Sequence, residues 1–333
     1  MGLHVVATGG TIASLPDPES GVVRSVVSIG DLLQSVPELA AFDVTSAEEI
    51  TRVNGWNMTP ALMLTTAERV AAAVADPSID GVIVTHGTDT IEETAFLCDL
   101  LVDTKKPIVF CGSLRNGGEL SFDGPRNLVN AAAYASSLLA SGQGVVLCLN
   151  DELHAARWAR KLDSFRPSAF GSPDRGPIAL FHDQKPTMLL PRLESVSLPM
   201  PSALNAPVPQ IQTYTGMEED LIECVLAATA AQGLVLEGTG AGNIPGPAEH
   251  GVRLAVDRGL PVVLATRTIS GGTGSHYGGT GGGVSLRGLG VLEAGSLTAA
   301  KARLLLMSLL ALETTHDELE ATFREIVRVL APV

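Results

Sequence analysis

The chain has 333 residues, of which 45% are hydrophobic and only 4% aromatic, and its formal net charge is −14. This length suits about two domains of ~150 residues, and the composition excludes a disordered chain. The acidic balance argues against nucleic acid as a partner, because phosphate binding needs a basic surface. With no apolar run of ~18 residues and no basic segment leading into an apolar N-terminal run, we expect a cytoplasmic protein without membrane association.

Strand-like and helix-like stretches alternate through the first half of the chain. The apolar runs GVIV, PIVF and GVVLCL are continuous rather than alternating, which is typical of parallel strands covered by helices on both faces. The predicted strands are Leu3–Ala7, Gly81–Val84, Pro107–Cys111 and Gly144–Leu149. The predicted helices are Ala67–Ala75, Ile91–Val102 and Leu128–Leu139, the last with Asp123 as a cap and Pro125 in its first turn.

A proline-rich segment separates two such patterns. Residues 186–209 contain six prolines and no periodicity, so they are predicted to link an N-terminal domain, 1–185, to a C-terminal domain, 210–333. The C-terminal prediction is strands Gln210–Tyr214, Gly233–Glu237 and Pro261–Thr266 and helices Glu218–Gln232, Glu249–Arg258, Ala299–Glu313 and Asp317–Val329. We therefore expect an α/β protein with a larger Rossmann- or flavodoxin-like, mostly parallel N-terminal sheet and a smaller α/β domain.

Two strand ends carry polar residues that could do chemistry. The first strand runs into Thr8-Gly9-Gly10-Thr11, where the glycines let backbone approach a ligand and Thr11 offers a hydroxyl. Another strand ends at Thr85-His86-Gly87-Thr88-Asp89, before a helix with Glu92 and Glu93 in its first turn. In open α/β sheets, ligands bind at these strand ends, although Thr88 or Thr90 could simply cap the helix.

A threonine nucleophile needs a base and a stabiliser for the oxyanion. Lys161 follows the strand that ends at Leu149, and a desolvated lysine can act as a base near neutral pH. A solvated surface lysine is the alternative interpretation. The seven histidines show no metal-ligand spacing, and the four cysteines, each in an apolar run, are expected to be buried.

Four segments together resemble the bacterial-type L-asparaginase and glutaminase-asparaginase family. They are ATGGTIAS from Ala7, THGTDTIEETA from Thr85, LRNGGELSFDGPRNLVNA from Leu114, and the ND…RK…SP..GP run from Asn150. EGTGAGNIP from Glu237 extends the resemblance into the C-terminal domain. The pairing of TGGTIAS with HGTDT is highly specific, unlike a lone glycine motif.

The resemblance implies hydrolysis of an amide through an acyl-threonine ester, with no metal or organic cofactor. Thr11 matches the family's primary nucleophile, and Thr88, Asp89 and Lys161 match its second catalytic cluster. Lys161 would draw a proton from Thr88, with Gly87 beside the substrate. Ser121 and Asp123 would support the site or serve structure alone. The family also implies a homo-oligomer, a homotetramer with sites at a close dimer interface or a dimer, acting on a small-molecule amide.

The sequence departs from the family where the substrate's α-carbon groups should be bound. The family's serine-glutamine pair aligns with Gly55-Trp56, so a hydroxyl and an amide are replaced by an indole. Asn54 and Asn57 could compensate, and Trp56 could equally lie in the core or at an interface. We therefore predict an amide hydrolase with altered specificity, with an authentic L-asparaginase as the alternative.

Two further departures concern the lid and the C-terminal domain. The segment Leu15–Val27 lacks the tyrosine that the family's lid loop usually carries, and Tyr277 is the candidate substitute. From Arg258 to Leu292 there is no acid, where the family places one near the substrate's ammonium. Asn243 does match the family's asparagine. The thirteen residues Gly271–Gly283 include eight glycines and predict a mobile or tightly turning loop.

The sequence also contains features of two other classes of function, a dinucleotide-binding protein and a non-catalytic binding protein. GTGAGN, from Gly238, follows a strand as a dinucleotide-binding turn does, but it lacks the GxGxxG spacing and the acidic residue ~20 positions later. A non-catalytic binding protein would explain the lost tyrosine and acid. The joint retention of Thr11, Thr88, Asp89 and Lys161 argues for catalysis.

Overall fold

The computed structural model describes residues 2–332. The chain forms two compact units, and the boundary between them in the sequence lies between Met200 and Pro201. Each unit has its own aliphatic core. The outer bounds of the two predicted domains, Met1 and Val333, lie outside the described residues. Of the four cysteines, Cys98, Cys111 and Cys148 are buried, but Cys224 is exposed, so the prediction that all four are buried was wrong.

The first unit is built on an eight-stranded sheet. The strands of this unit are β1 (Leu3–Gly9), β2 (Ser14–Pro16), β3 (Val23–Ser25), β4 (Val44–Val53), β5 (Gly81–Thr85), β6 (Ile108–Cys111), β7 (Val145–Leu149), β8 (Glu152–Ala155), β9 (Arg160–Lys161), β10 (Phe170–Gly171), β11 (Ala179–His182) and β12 (Lys185–Met188). Strands β2 and β3 form one separate two-stranded pair, and β9 and β10 form another. The sheet order is β12-β11-β8-β7-β6-β5-β1-β4. Strands β4, β1, β5, β6 and β7 are parallel, and β8, β11 and β12 continue the sheet antiparallel. The predicted mostly parallel sheet is confirmed.

Four helices belong to the first unit: α1 (Ile29–Gln34), α2 (Pro60–Ala75), α3 (Ile91–Leu101) and α4 (Gly124–Ala135). Helix α2 begins earlier than predicted, because Thr59 caps it and Pro60 occupies its first position. Helix α4 is shifted toward the N-terminus of its predicted range. Asp123 precedes the helix, but its side chain does not cap it, because the carboxylate accepts hydrogen bonds from the N–H groups of Leu114 and Arg115.

The second unit has a four-stranded parallel sheet. Its strands are β13 (Gln210–Gln212), β14 (Leu234–Gly238), β15 (Val262–Thr266) and β16 (Leu292–Glu293), in that order across the sheet. Its helices are α5 (Asp220–Thr229), α6 (Glu249–Asp257), α7 (Gly283–Gly288), α8 (Ala299–Leu310) and α9 (His316–Leu330). Each predicted strand and helix of this half is present, with ends shifted by a few residues. In the part of the chain that the structure describes, no helix is long and apolar enough to cross a membrane.

Several elements of the first unit were not predicted, among them helix α1 and the antiparallel strands β8, β11 and β12. Strand β4 lies at the sheet edge and is half exposed, so its sequence lacks the continuous apolar run of the inner strands. The segment after Thr11, predicted as a proline-broken loop, forms the antiparallel hairpin β2–β3. Asp17 closes its turn by accepting hydrogen bonds from the Ser20 N–H and hydroxyl, both 2.8 Å.

A buried ion pair joins α3 to Arg157, just after β8. The Asp99 carboxylate accepts hydrogen bonds from Arg157 Nε at 3.0 Å and from the Val145 N–H at 2.9 Å, and both side chains of the ion pair are 3% exposed. Removing one partner of a buried pair leaves the other charge without compensation in a low-dielectric interior.

We expect Arg157→Met to lower the free energy of unfolding by about 3–5 kcal/mol. The matched control is Arg69→Met, which removes an exposed ion pair with Glu48 and should cost less than about 1 kcal/mol. Urea unfolding of the full chain, followed by circular dichroism, measures both. Equal costs would show that the Asp99 charge is not buried in solution.

Candidate active site

The ends of two neighbouring parallel strands form the base of the candidate site. Strands β1 and β5 pair in register from Leu3 with Gly81 to Ala7 with Thr85. The buried Thr8 hydroxyl then donates to the Thr85 carbonyl at 3.1 Å, which holds the two strand ends together. The segments that carry Thr11 and Thr88 therefore leave the sheet side by side.

Three glycines bring three backbone segments into direct contact. A Cβ atom added at Gly10 would lie 2.5 Å from the Gly87 nitrogen, and one added at Gly87 would lie 2.7 Å from the Gly55 nitrogen. One added at Gly55 would lie 3.1 Å from the Asp89 Cβ. We call Gly10, Gly87 and Gly55 the glycine contact. No residue with a side chain fits at Gly10 or Gly87 without moving backbone.

Thr11 begins a single 3₁₀ turn, Thr11–Ala13, directly after the glycine contact. Its position depends on Gly9 and Gly10, whose φ angles of 98° and 87° lie in the region that favours glycine. The Ser14 hydroxyl fixes this turn by donating to the Gly10 carbonyl at 2.8 Å. Thr11 itself is half-buried.

Lys161 connects the second pair of predicted catalytic residues. Its Nζ lies 3.0 Å from Thr88 Oγ1 and 2.7 Å from Asp89 Oδ1. Thr88 is 5% exposed, whereas the Asp89 side chain is 46% exposed and faces solvent. Thr88 is therefore not a helix cap, and Lys161 is not a solvated surface lysine. The geometry couples an amine, a buried hydroxyl and a carboxylate.

The backbone around Lys161 is fixed from two directions. Strands β9 and β10 pair Lys161 with Phe170, and Glu92 Oε2 accepts a hydrogen bond from the Lys161 N–H at 2.5 Å. Sequence reasoning placed Glu92 in the first turn of α3 but gave it no role at Lys161. The only signal in the sequence is an acid in the helix's first turn, and such an acid is as easily explained by the helix dipole.

The Gly55-Trp56 segment forms a short turn beside Asp89. The Thr90 hydroxyl donates to the Gly55 carbonyl at 2.8 Å, so Thr90 positions this turn instead of capping α3. Gly55 is buried, but Trp56 is 68% exposed, so the interpretation of Trp56 as a core residue is wrong. A cavity of about 300 Å³ opens beside Asp89 and Lys161.

Comparison with known proteins places the whole chain in one family. The model described as "Asparaginase, N-terminal" matches residues 2–193, and the "Glutaminase/Asparaginase C-terminal domain" matches residues 207–323. The chain is a member of the asparaginase family. The suspected family is thereby confirmed, and its members' activity makes this protein an amidohydrolase.

Individual asparaginase relatives match over nearly the full chain. L-asparaginase 2 of Bacillus subtilis is 32% identical over 97% of this chain and 86% of its own length. The probable L-asparaginase of Deinococcus radiodurans is 34% identical over 97% of both chains. The crystal structure of the probable cytoplasmic L-asparaginase from Campylobacter jejuni superimposes with a TM-score of 0.86 at 28% identity, covering 97% of this chain and 98% of the other. This neighbour has the same two-domain α/β fold.

His86 is a buried residue of this asparaginase-family site that sequence reasoning passed over. Its Nδ1 lies 2.8 Å from the Gly87 carbonyl and its Nε2 lies 2.9 Å from the Thr94 hydroxyl. These partners suit a neutral ring that donates from Nδ1 and accepts at Nε2. Burial lowers the pKa of His86 from 6.5 to about 4, although the Gly87 carbonyl favours the protonated form.

We expect this asparaginase-family protein to lose stability on acidification through His86. The unfolded chain binds a proton near pH 6.5 and the folded chain only near pH 4, so the loss begins below about pH 6.5 and is complete near pH 4, reaching about 3 kcal/mol. His86→Gln should therefore reduce the difference between the unfolding free energies at pH 7 and pH 4.5. An unchanged difference in urea titrations would contradict the neutral assignment.

Asp123 supports the loop that follows β6. Its two carboxylate oxygens accept hydrogen bonds from the N–H groups of Leu114 and Arg115, at 3.1 and 2.9 Å. The same loop contacts the β2–β3 hairpin, where the Gly117 N–H donates to the Ser14 carbonyl at 3.1 Å. Ser121 is exposed, with a φ of 57°, and its carbonyl accepts from Arg115. A supporting role remains a prediction, and it has more basis for Asp123 than for Ser121.

Asn243 lies in the second unit, in a tight turn after β14. Its backbone pairs with Thr239, and its Oδ1 accepts a hydrogen bond from the Gly283 N–H at 3.2 Å. The predicted glycine-rich loop is tightly turned: the Gly282 N–H donates to the Gly279 carbonyl at 3.0 Å, and the Gly281 N–H donates to the Glu249 carboxylate at 2.6 Å. Although burial alone would raise it, the Gly281 N–H, Ser285 and Arg253 hold the pKa of Glu249 below its usual value.

Proposed function

We propose that this protein hydrolyses a carboxamide by threonine nucleophilic catalysis, with Thr11 as the primary nucleophile. The observation that carries the proposal is the Lys161 amine at 3.0 Å from the buried Thr88 hydroxyl and 2.7 Å from Asp89. A nucleophilic hydroxyl needs a neighbouring base, and a base needs a third group to orient it. These three residues meet that requirement for the Thr88 hydroxyl, on the segment that leaves the sheet beside the one that carries Thr11.

The reaction has two halves. The Thr11 oxygen attacks the amide carbon, the C–N bond breaks, and the nitrogen leaves with the Thr11 proton, as ammonia from a primary amide or as a tethered nitrogen group from a cyclic one. Water then cleaves the resulting ester, releasing the acid and restoring the Thr11 hydroxyl. Lys161 in its neutral amine form accepts the Thr88 proton, so that the Thr88 oxygen can take a proton from the attacking water. Asp89 balances the ammonium until that proton passes to the Thr11 oxygen as the ester breaks. Backbone N–H groups at the start of α3 and near the glycine contact suit the oxyanion.

The altered substrate specificity rests on the Gly55-Trp56 turn. Gly55 lies so close to Asp89 that a serine Cβ there would be 3.1 Å from the Asp89 Cβ and 3.2 Å from its nitrogen. Trp56 places an exposed indole on the same turn instead of an amide. Burying an unpaired charged group costs about 1–3 kcal/mol or more. The preferred substrate therefore lacks a free α-ammonium, or carries an acyl, cyclic or aromatic group that packs on Trp56.

An authentic L-asparaginase is the second candidate. The relatives that match over most of the chain are named L-asparaginase or, in Pseudomonas aeruginosa at 32% identity, glutaminase-asparaginase. A non-catalytic binding protein is the third. We further propose a cytoplasmic homo-oligomer, a dimer or tetramer. Light scattering of the purified chain tests the oligomer, and a monomeric mass would overturn it.

A hydrolysis panel separates the candidates. Ammonia release measures L-asparagine, D-asparagine, L-glutamine, N-acetyl-L-asparagine and aliphatic amides. Chromatography of the ring-opened product measures lactams and cyclic imides, because ring opening releases no ammonia. We expect the acylated or cyclic amides to have the highest kcat/KM. A micromolar KM with rapid turnover of L-asparagine would identify an authentic L-asparaginase, and hydrolysis of none of these amides would favour the binding protein.

Trp56→Gln tests the specificity argument directly. We expect it to raise KM for the preferred bulky amide by about tenfold, the value of one well-packed aromatic contact, while kcat changes little. The control is Leu138→Ala, which removes an 88%-exposed apolar side chain after α4 and should leave both constants unchanged. If the two variants behave alike, Trp56 does not contact the substrate.

A further inference from the structure

A cluster of three polar side chains lies near the start of β1, at the opposite end of this strand from Thr11. Ser46 Oγ lies 2.7 Å from His4 Nδ1, and Glu48 Oε1 lies 3.1 Å from His4 Nε2. A serine beside an imidazole that a carboxylate orients is the arrangement that activates a serine nucleophile. The amide hydrolysis proposed above uses none of these three residues.

A β-bulge in the edge strand places the serine beside the histidine. The register of β1 against β4 shifts by one residue between Leu3 and His4, which leaves Thr45 as an extra residue on β4. His4 therefore pairs with Ser46. Because side chains alternate between the two faces of a strand, the bulge brings Ser46 and Glu48 to the face that carries His4. Bulges often re-aim a side chain in this way beside active sites.

The partners of Glu48 determine which nitrogen of His4 can act as a base. Glu48 Oε2 accepts hydrogen bonds from Arg69 Nε at 2.8 Å and Nη2 at 2.5 Å. Although burial alone would raise it, Arg69 and His4 hold the pKa of Glu48 below its usual value. An ionised carboxylate only accepts hydrogen bonds, so a neutral His4 carries its proton on Nε2. Its Nδ1 then has a lone pair that can take the proton of the Ser46 hydroxyl.

The cluster opens to a small cavity. Ser46 is exposed, and the His4 side chain is 13% exposed. The cavity has a volume of about 230 Å³, and Ala72, Ala73 and Ile79 contribute apolar surface to it. Sites for drug-sized ligands begin near ~300 Å³, so this cavity suits an acyl group of a few carbons.

A second set of the same three residue types shows why exposure matters. Ser172 Oγ lies 2.9 Å from His154 Nδ1, and Glu152 Oε2 lies 3.0 Å from His154 Nε2. Ser172 is 6% exposed and His154 is 1% exposed, so a substrate does not reach their hydrogen bond. This buried set serves structure and provides an internal control for the exposed one.

The open edge of the sheet supplies a donor for the oxyanion. Strand β4 is the last strand of the sheet, and the Leu3 N–H donates to the Asp43 carbonyl, so every second residue of β1 from Leu3 onward bonds to β4. Val5 is one of these, and its partner is Ala47. In a parallel ladder the N–H of such a partner faces away, here toward the open edge. Ala47 directly follows Ser46, and the N–H after a serine nucleophile is a common oxyanion donor.

We propose that Ser46, His4 and Glu48 form a second nucleophilic site, which hydrolyses small neutral esters with a short acyl group. The Ser46 oxygen attacks the ester carbon as its proton passes to His4 Nδ1, the C–O bond breaks, and the alcohol leaves with that proton. Water then attacks the acyl-serine, its proton returns through His4 to the Ser46 oxygen, and the acid is released. Glu48 and Asp76 oppose only Arg69 in the cavity lining, which disfavours an anionic ester.

A fluorophosphonate tests the nucleophile in the full chain. Its phosphorus bonds to an activated serine oxygen and fluoride leaves, so peptide mapping by mass spectrometry identifies the modified residue. We expect the label on Ser46 and none on Ser172. His4→Gln should slow labelling of Ser46 by at least about a hundredfold, the lower end of what a general base contributes.

Hydrolysis of p-nitrophenyl acetate tests the complete reaction. The Thr11→Val chain is the reference, so that the proposed amide-cleaving nucleophile does not contribute. Adding Ser46→Ala should lower kcat/KM for this ester by at least about a hundredfold, within the loss known for removing a serine nucleophile. In the chain that retains Thr11, Ser46→Ala should leave amide hydrolysis unchanged, so the two proposed sites can fail independently.

The control variant is His316→Gln, which removes an exposed histidine that pairs with Glu320 at 3.2 Å on α9. It should change neither the labelling of Ser46 nor ester hydrolysis, and circular dichroism confirms that each variant is folded. Three results would overturn the proposal: no preferential label on Ser46 over other exposed serines, equal labelling rates with and without His4, or ester hydrolysis that Ser46→Ala leaves unchanged.

Discussion

Thr88→Val lowers kcat/KM for amide hydrolysis by about a thousandfold or more, the scale of removing one member of a coupled catalytic group. Valine keeps the shape of the buried side chain and removes only the hydroxyl that meets Lys161 Nζ at 3.0 Å. Because the Lys161–Asp89 contact at 2.7 Å remains, the site retains its ion pair and its backbone. The loss is expected in kcat rather than in KM, because the hydroxyl takes part in proton transfer and not in binding the substrate in its ground state.

Thr66→Val is the matched control for this prediction. Thr66 is also fully buried in the first unit, but its hydroxyl donates only to the Leu62 carbonyl of its own helix, at 2.9 Å. We expect kcat and KM to stay within about twofold of the parent protein, because no site residue depends on this hydroxyl. If Thr88→Val and Thr66→Val lose the same activity, the loss reports packing, and Thr88 has no part in proton transfer.

Lys161→Met extends the argument to the base. It should remove activity to a similar extent, and combining it with Thr88→Val should add little, because residues that act as a unit are not additive. Additive losses in kcat would show that the two residues act in separate steps. Far-ultraviolet circular dichroism and the urea midpoint confirm that each variant is folded.

The first unit's inner strands could be predicted because each is buried on both faces and reads as one apolar run. The edge strand Val44–Val53 and the hairpin after Thr11 could not, since half-exposed strands carry polar residues in no fixed pattern. The end of the sheet that carries Thr11 and Thr88 followed from topology alone, because adjacent parallel strands end at the same edge.

The contacts within the site could not be predicted from the residues of the sequence alone. The amine of Lys161 reaches Thr88 over 73 residues, and only the resemblance to a family suggested that they meet. Glu92 and His86 were missed because a helix's first-turn acid and a histidine near a glycine have common structural explanations. The close approach of Gly10, Gly87 and Gly55 depends on three distant segments, and glycine alone signals only that some backbone freedom is needed.

Gly10→Ala is expected to destabilise the protein by about 3 kcal/mol or more and to reduce kcat/KM by at least about a hundredfold. Two costs combine at this position. The φ of 87° is strained for a residue with a Cβ, at about 1–2 kcal/mol, and the added atom would lie 2.5 Å from the Gly87 nitrogen. Since backbone cannot rotate away as a side chain does, the segments before Thr11 and Thr88 must separate.

Gly176→Ala isolates the first of these costs. Gly176 has a φ of 75°, similar to that of Gly10, but nothing lies within 4 Å of an added Cβ. It should cost about 1–2 kcal/mol in the free energy of unfolding and leave kcat/KM unchanged. The difference between the two variants measures the contact itself. If they are equally stable and equally active, Thr11 and Thr88 do not depend on close packing of Gly10 against Gly87, and the site must be held together by the Thr8–Thr85 hydrogen bond and the sheet alone.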